Sequence, residues 1–155
     1  MVLGAAALQE ALFLAAHDVE VFLVDQDLGA VEAAEGRAVT EQLAGTFQAL
    51  VIDYGSWFPD LSPTLVTIAA GSLAQLRPGV RAVLIGELQN RTRTGGVHVI
   101  LPGGGTPGVI PLAPESLQAL YRGWQLQRPR SKRGAGGFAA IKPPRQGDTA
   151  LNVSD

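Results

Sequence analysis

Two short apolar runs, residues 19–24 (VEVFLV) and 47–52 (FQALVI), each stop at a single acid, Asp25 and Asp53. Runs of this length, rich in β-branched and aliphatic residues and closed by a polar residue, read as buried strands. The stretch between them has helical spacing. Asp27 can cap a helix in which Val31, Ala34 and Ala38 share one face. Glu32 and Glu35 fall early in it, where the macrodipole favours acids. Gly36 weakens that helix by about 1 kcal/mol relative to alanine. Strand, helix and strand at this spacing call for a parallel pair joined by a crossover, since parallel strands cannot be joined by a tight hairpin.

The same alternation extends to both sides. Val2 and Leu3 look like the end of a buried strand, and Leu8, Leu12, Ala15 and Ala16 then recur at helical spacing. A loop with Gly55, Pro59 and Pro63 leads to residues 65–69 (LVTIA), a fourth strand. GSLAQL leaves room for a turn or two of helix before Arg77-Pro78-Gly79, and residues 80–88 (VRAVLIGEL) predict a fifth strand. Strands alternating with helices imply an α/β fold, a mostly parallel sheet with helices on both faces.

Residues 89–112 change character. They are rich in Gly, Pro and Thr and read as a long loop, with GGVHVILP as a short strand within it. A loop that long in a compact domain is usually functional. Pro and Glu in the first turn of residues 114–121 (PESLQALY) suit a helix start. Residues 124–127 and 137–141 read as an antiparallel hairpin around the basic turn RPRSKRGAG. From about residue 143 the chain is polar and proline-bearing, so a domain over 1–142 and a disordered tail over 143–155 are expected. There is no internal repeat.

At 155 residues the chain suits one domain with a substantial core. A formal net charge of -2 argues against nucleic-acid binding, whose affinity rests on neutralising phosphates. Cysteine is absent, which excludes disulfides, thiolate catalysis and cysteine-metal sites, and two histidines alone make no convincing metal cluster, although carboxylates could assist, so no metal is expected. The opening MVLGAAALQEALFLAA has no basic n-region, and Glu10 interrupts an apolar run too short to span a bilayer. No membrane partner is expected, and cytoplasm is the default compartment.

In order and spacing these segments resemble the class I S-adenosylmethionine-dependent methyltransferases, a Rossmann-like family whose last hairpin inserts one strand antiparallel to the rest. VEVFLVDQDLGAVEAAEGRA is similar to the family's second strand, its acid and the following helix. FQALVIDYGSW resembles the third strand, and LVTIAAGSLAQLRPGVRAVLIGE the fourth strand, a shortened helix and the fifth strand. GGVHVILP followed by PESLQALYRGWQLQ resembles the tellurite-resistance-type small-molecule methyltransferases. The likeness covers roughly residues 2–142. It implies methyl transfer from S-adenosylmethionine to a small-molecule acceptor; a non-catalytic relic of the fold, binding a nucleoside or acting through a partner, is the alternative. A nicotinamide-dependent oxidoreductase shares the acid after the second strand and fits worse, because its glycine fingerprint is absent. Oligomeric state is not legible.

The resemblance also assigns sites. Gly4 to Leu8 (GAAAL) stands where the family has a G-x-G-x-G turn, with Ala6 and Leu8 in place of the second and third glycines. Each adds bulk at the wall facing the cofactor's methionine end, and a plain strand-to-helix turn with no ligand is the alternative. The outer first strand and the N-terminal helix of the family would lie upstream of Met1, so a shortened product or a mis-set start is expected. Asp25 would bind the ribose hydroxyls, against the simpler reading of a helix cap shared with Asp27. Gln26 would lie along the adenine. Asp53 would face the adenine amino group and Tyr54 offer a backbone amide, or Asp53 would merely cap a turn. Ala69 to Gly71 would leave room at the end of the fourth strand. If a general base is required, His98, expected in the loop beyond the fifth strand, and Glu87 are the nearest candidates, although a lone loop histidine is more often simply solvated. Trp57, Phe58 and Tyr121 would line an acceptor pocket or belong to the core. Arg128, Arg130, Lys132 and Arg133 read as a solvated hairpin tip.

Overall fold

A computed structural model describes residues 1–54, 59–103, 110, 112–128 and 137–144. Its elements in chain order are β1 (Val2–Leu3), a 3₁₀ turn (Ala5–Ala7), α1 (Leu8–Ala15), β2 (Val21–Asp25), α2 (Leu28–Thr40), β3 (Phe47–Val51), β4 (Leu65–Ala69), α3 (Ala70–Ala74), α4 (Pro78–Arg91), β5 (Val97–Leu101), α5 (Pro114–Ala119), β6 (Gln125–Gln127) and β7 (Phe138–Ile141). Among the described residues one seven-stranded sheet runs in the order β3-β2-β1-β4-β5-β7-β6. The first five strands are parallel, and β7 is antiparallel to both β5 and β6. The α/β sheet with helices on both faces and a closing antiparallel hairpin is therefore observed.

Each face of the sheet has its own core. On one side Ala11, Leu12 and Ala15 of α1 and Val31, Ala34 and Ala38 of α2 bury Val2, Val21, Leu23, Phe47 and Ala49. Alanine-rich helix faces let the backbones lie close to the strands. On the other side Leu84, Ile85 and Leu88 of α4, with Leu117 and Tyr121 at α5, cover Leu3, Val24, Val66, Ile68, Ile100 and Phe138. The strands that read as near-continuous apolar runs are thus those covered on both faces. Ala16, expected on the apolar face of the first helix, is the residue that caps the end of α1 and is exposed.

One expected element changes type. Residues 80–88 are not the fifth strand; they lie within α4, which Pro78 opens at its first turn. The buried set is Leu84, Ile85 and Leu88, while Val83 is 58% exposed. Two adjacent buried residues followed by a third four positions from the first fit a helix stripe. A strand would have put Leu84 and Ile85 on opposite faces. The fifth strand is instead Val97–Leu101, paired in register with β4 from Leu65↔Val97 to Ala69↔Leu101. The stretch read as a loop over 89–112 begins with the end of α4, and the short strand expected within it at GGVHVILP forms as a central strand of the sheet. The hairpin of β6 and β7 forms where expected. Its tip residues Arg130, Lys132 and Arg133, the tail from residue 145, and Trp57 and Phe58 lie outside the described residues.

Candidate functional site

In an open parallel sheet a ligand crevice forms beyond the carboxyl ends of the strands, where neighbouring connections leave in opposite directions. Here that point lies between β1 and β4. The chain after β1 turns into α1 on one face, whereas the chain after β4 turns into α3 and α4 on the other. The turn after β1 begins at Gly4, with φ 89° and ψ 130°. That conformation is almost confined to glycine. A Cβ there would collide with the Ser72 hydroxyl of α3 and sit 2.9 Å from the Ser72 Cβ. Gly4 is therefore required by the crossing of two turns at the switch point. Ala7 is fully buried, Leu8 packs against the α1–α2 core, and Ala6 is exposed. Of the two bulky replacements in the turn, only Ala6 stays clear of the core.

Asp25 ends β2 and gathers the neighbouring backbone around it. Its Oδ2 accepts the Ala5 N–H at 2.6 Å and its Oδ1 accepts the Asp27 N–H at 3.0 Å. The Asp25 carbonyl accepts Ile52 N–H at 2.9 Å. One residue earlier, the Val24 carbonyl accepts Gly4 N–H at 2.8 Å and the Tyr54 hydroxyl at 3.1 Å. The ends of β1, β2 and β3 are thus tied at one node. Each carboxylate oxygen of this half-exposed acid has one backbone donor and retains acceptor capacity, since an ionised carboxylate offers about four sites. Asp27, not Asp25, caps α2, accepting Gly29 N–H at 2.8 Å and Ala30 N–H at 3.2 Å. Two acids that sequence left interchangeable are separated in this way.

The other expected residues divide. Gln26 and Asp53 are exposed at the same edge, beyond β2 and β3. Tyr54 is buried, and its hydroxyl holds its proton far above the ordinary tyrosine range because burial and the nearby Asp25 carboxylate both oppose its ionisation. Ala69 is buried against the α1 side of the sheet and gives the start of α3 its backbone rather than an open wall. Gly71 N–H donates to the Gly103 carbonyl at 2.8 Å, which binds the turns after β4 and β5 together.

His98 lies inside β5, not in a loop beyond it. It pairs with Val66, three residues before the Ala69↔Leu101 pair at the carboxyl edge, or about 10 Å down the strand. It is 0% exposed. Thr92 spends its one hydroxyl proton on the Leu88 carbonyl at 2.6 Å, so His98 Nε2 donates to Thr92 Oγ1 at 2.7 Å. Nδ1 then accepts the Tyr121 hydroxyl at 3.0 Å. Burial, reinforced by the Lys142 charge, lowers its pKa to about 3. Glu87 sits on α4 with its carboxylate 3.5 Å from Arg91, whose guanidinium also reaches Asp60 and the Pro59 carbonyl ahead of β4. Both base candidates therefore stand away from the carboxyl edge. Tyr121 packs edge-on against His98, Trp124 and Phe138 in the core rather than lining an acceptor pocket. Two cavities of about 400 Å³ also lie elsewhere, one at the amino ends of β1, β2 and β4 and one on the sheet face between α1 and β5. Among the described residues no helix is long and apolar enough to cross a membrane.

The sheet order, the antiparallel β7 and the turn at the switch point define the α/β fold of the S-adenosylmethionine-dependent methyltransferases. Among solved structures the chain is similar to the glycopeptide N-methyltransferase MtfA complexed with (S)-adenosyl-L-homocysteine, at 16% identity and a TM-score of 0.71, over 92% of this chain and 81% of that one. It is also similar to the N-methyltransferase NodS from Bradyrhizobium japonicum WM9 (14% identity, TM-score 0.68, 92% and 84% covered). TehB from Haemophilus influenzae matches at 15% identity and a TM-score of 0.63, over 90% of this chain and 55% of its own. By sequence, no family model and no curated protein matches the chain.

Proposed function

We propose that the chain binds S-adenosylmethionine at the carboxyl edge of its sheet and transfers the methyl group to a small-molecule acceptor. The observation that carries this reading is Asp25. It is a half-exposed carboxylate at the end of β2, held by two backbone N–H groups beside the switch point and still able to accept from both hydroxyls of a ribose. The donor set fits the cofactor elsewhere too. Gln26, Asp53 and the Tyr54 backbone amide would border the adenine, and the turn from Gly4 through Ala6 would face the methionine end, with the Ala69–Ala70 backbone beside it. Structural neighbours solved with S-adenosylhomocysteine and S-adenosylmethionine support the same assignment.

Bound S-adenosylmethionine supplies an electrophilic methyl group on a sulfonium. What the chain contributes is alignment, which can accelerate such a displacement greatly without a general base. His98 and Glu87, away from the edge, are read as structural. That same placement favours a second reading, nucleoside binding without turnover. Calorimetry with S-adenosylhomocysteine separates the possibilities: saturable heat supports the pocket, and none at millimolar ligand ends both readings. Preference for a nicotinamide dinucleotide would redirect the assignment to an oxidoreductase. If S-adenosylhomocysteine binds, release of it from S-adenosylmethionine in the presence of amine or hydroxyl acceptors distinguishes transfer from binding alone.

A further inference from the structure

Tyr54 stands three residues beyond β3, and the chain turns there so that its ring is buried in the core that also holds Leu3, Val24 and Ile52. A phenylalanine would fill that apolar volume equally well. The hydroxyl is the unexplained part, since burying it costs free energy unless it finds a partner. It finds the Val24 carbonyl, an acceptor already engaged by Gly4 N–H. It thus acts as a second donor on the peptide that leads directly into Asp25, the residue that organises the edge of the cleft.

We infer that Tyr54 is a positioning residue for nucleoside recognition, whose hydroxyl fixes the Val24–Asp25 peptide and so holds the Asp25 carboxylate for the ribose. This rests on the proposed cofactor site. The side chain acts from beneath, through β2, and is distinct from the backbone amide that would face the adenine. Rotation of the Val24–Asp25 peptide would move the carboxylate relative to Ala5 and Asp27, whose N–H groups hold it from the other side. Losing the Tyr54 hydroxyl therefore removes one of the two donors on the Val24 carbonyl while leaving the ring in place.

Tyr54→Phe in the full chain tests it, with binding of S-adenosylhomocysteine, adenosine and 2′-deoxyadenosine measured by calorimetry and the fold checked by thermal melting. The expected result is a loss of roughly three- to tenfold in affinity for S-adenosylhomocysteine. The preference for adenosine over 2′-deoxyadenosine should shrink with it, because the tie acts through the ribose-binding carboxylate. In an Asp25→Ala background, Tyr54→Phe should cost nothing further. A purely structural tyrosine would lower the melting temperature without changing the ribose preference, and that outcome overturns the inference, as does additivity with Asp25→Ala. If Tyr54→Phe does not fold, fluorotyrosine in the otherwise unaltered chain replaces it. The chain has two tyrosines, and S-adenosylhomocysteine should shift the fluorine resonance of Tyr54 and spare that of Tyr121; a silent Tyr54 resonance counts against the role. Failure of the wild-type chain to bind S-adenosylhomocysteine removes the site reading itself, whereas binding that Tyr54→Phe leaves intact removes this inference alone.

Discussion

At the scale of single residues, Gly4 is the position where sequence and structure give different reasons for the same amino acid. Family likeness makes it a glycine so that a cofactor can approach. The backbone makes it a glycine because its dihedrals and the Ser72 side chain leave no room for a Cβ. That steric demand comes from a residue 68 positions away in α3, so no local pattern could reveal it. Gly4→Ala should accordingly destabilise the fold by roughly 2–3 kcal/mol, combining backbone strain with the collision. Adding Ser72→Ala should return part of that loss, since it removes the hydroxyl and leaves the dihedral cost and the Ser72 Cβ at 2.9 Å. Urea unfolding of the two variants checks this, and an equal loss in both would show that the Ser72 hydroxyl is not the obstacle. Ala6 invites the opposite change. It is exposed, so Ala6→Gly removes a methyl group beside the proposed methionine subsite without opening the core, as Leu8→Gly would. Tighter binding of S-adenosylhomocysteine to Ala6→Gly is expected; unchanged affinity would place the steric limit elsewhere.

At the scale of elements, strands closed by an acid were legible and helix α4 was not. Residues 21–25 and 47–51 combine β-branched content, a polar stop and a capped helix between them, so three signals agree. Residues 80–88 offer one signal, an apolar run, and short apolar runs do not separate helix from strand. Pro78 at the helix start and the Leu84/Ile85/Leu88 set were the available clues. The glycine pair before VHVIL did mark a short strand there; its central place in the sheet was hidden by a histidine whose partners, Thr92 and Tyr121, come from other elements. The end of α4 also depends on a distant residue. Lys142, just past β7, donates to the carbonyls of Gln89, Asn90 and Thr92. Four carbonyls at a helix end lack intrahelical partners, and a cation there also favours the macrodipole. Lys142→Met keeps most of the stem and removes these bonds, so it should lower stability by about 1–2 kcal/mol. Amide exchange should quicken at the last turn of α4 before it does in β1–β3; uniform quickening would deny Lys142 its local role.

At the scale of the whole molecule, the His98 cluster joins the end of α4, the middle of β5 and the end of α5 through one neutral imidazole. Its protonation is therefore coupled to global unfolding. The ordinary histidine pKa of 6.5 falls to about 3 in the fold, because burial and the nearby Lys142 charge disfavour the imidazolium. Between those values the unfolded chain binds a proton that the folded chain refuses, so stability rises with pH through the window and is lost as pH falls from 6.5 toward 3. The slope is at most about 1.4 kcal/mol per pH unit, and the full window amounts to roughly 3–5 kcal/mol. The Met1 amino group, whose pKa burial lowers to about 6, also changes charge in this range, so the histidine's share is read from the difference between the wild type and His98→Gln. His98→Gln should be less stable than the wild type at pH 8, where it breaks a satisfied buried network, and the gap should narrow as pH falls to 5. Parallel profiles for the two proteins, measured by urea unfolding, would mean that His98 takes up its proton without unfolding the chain. In that case the β5 core would have to admit a charge.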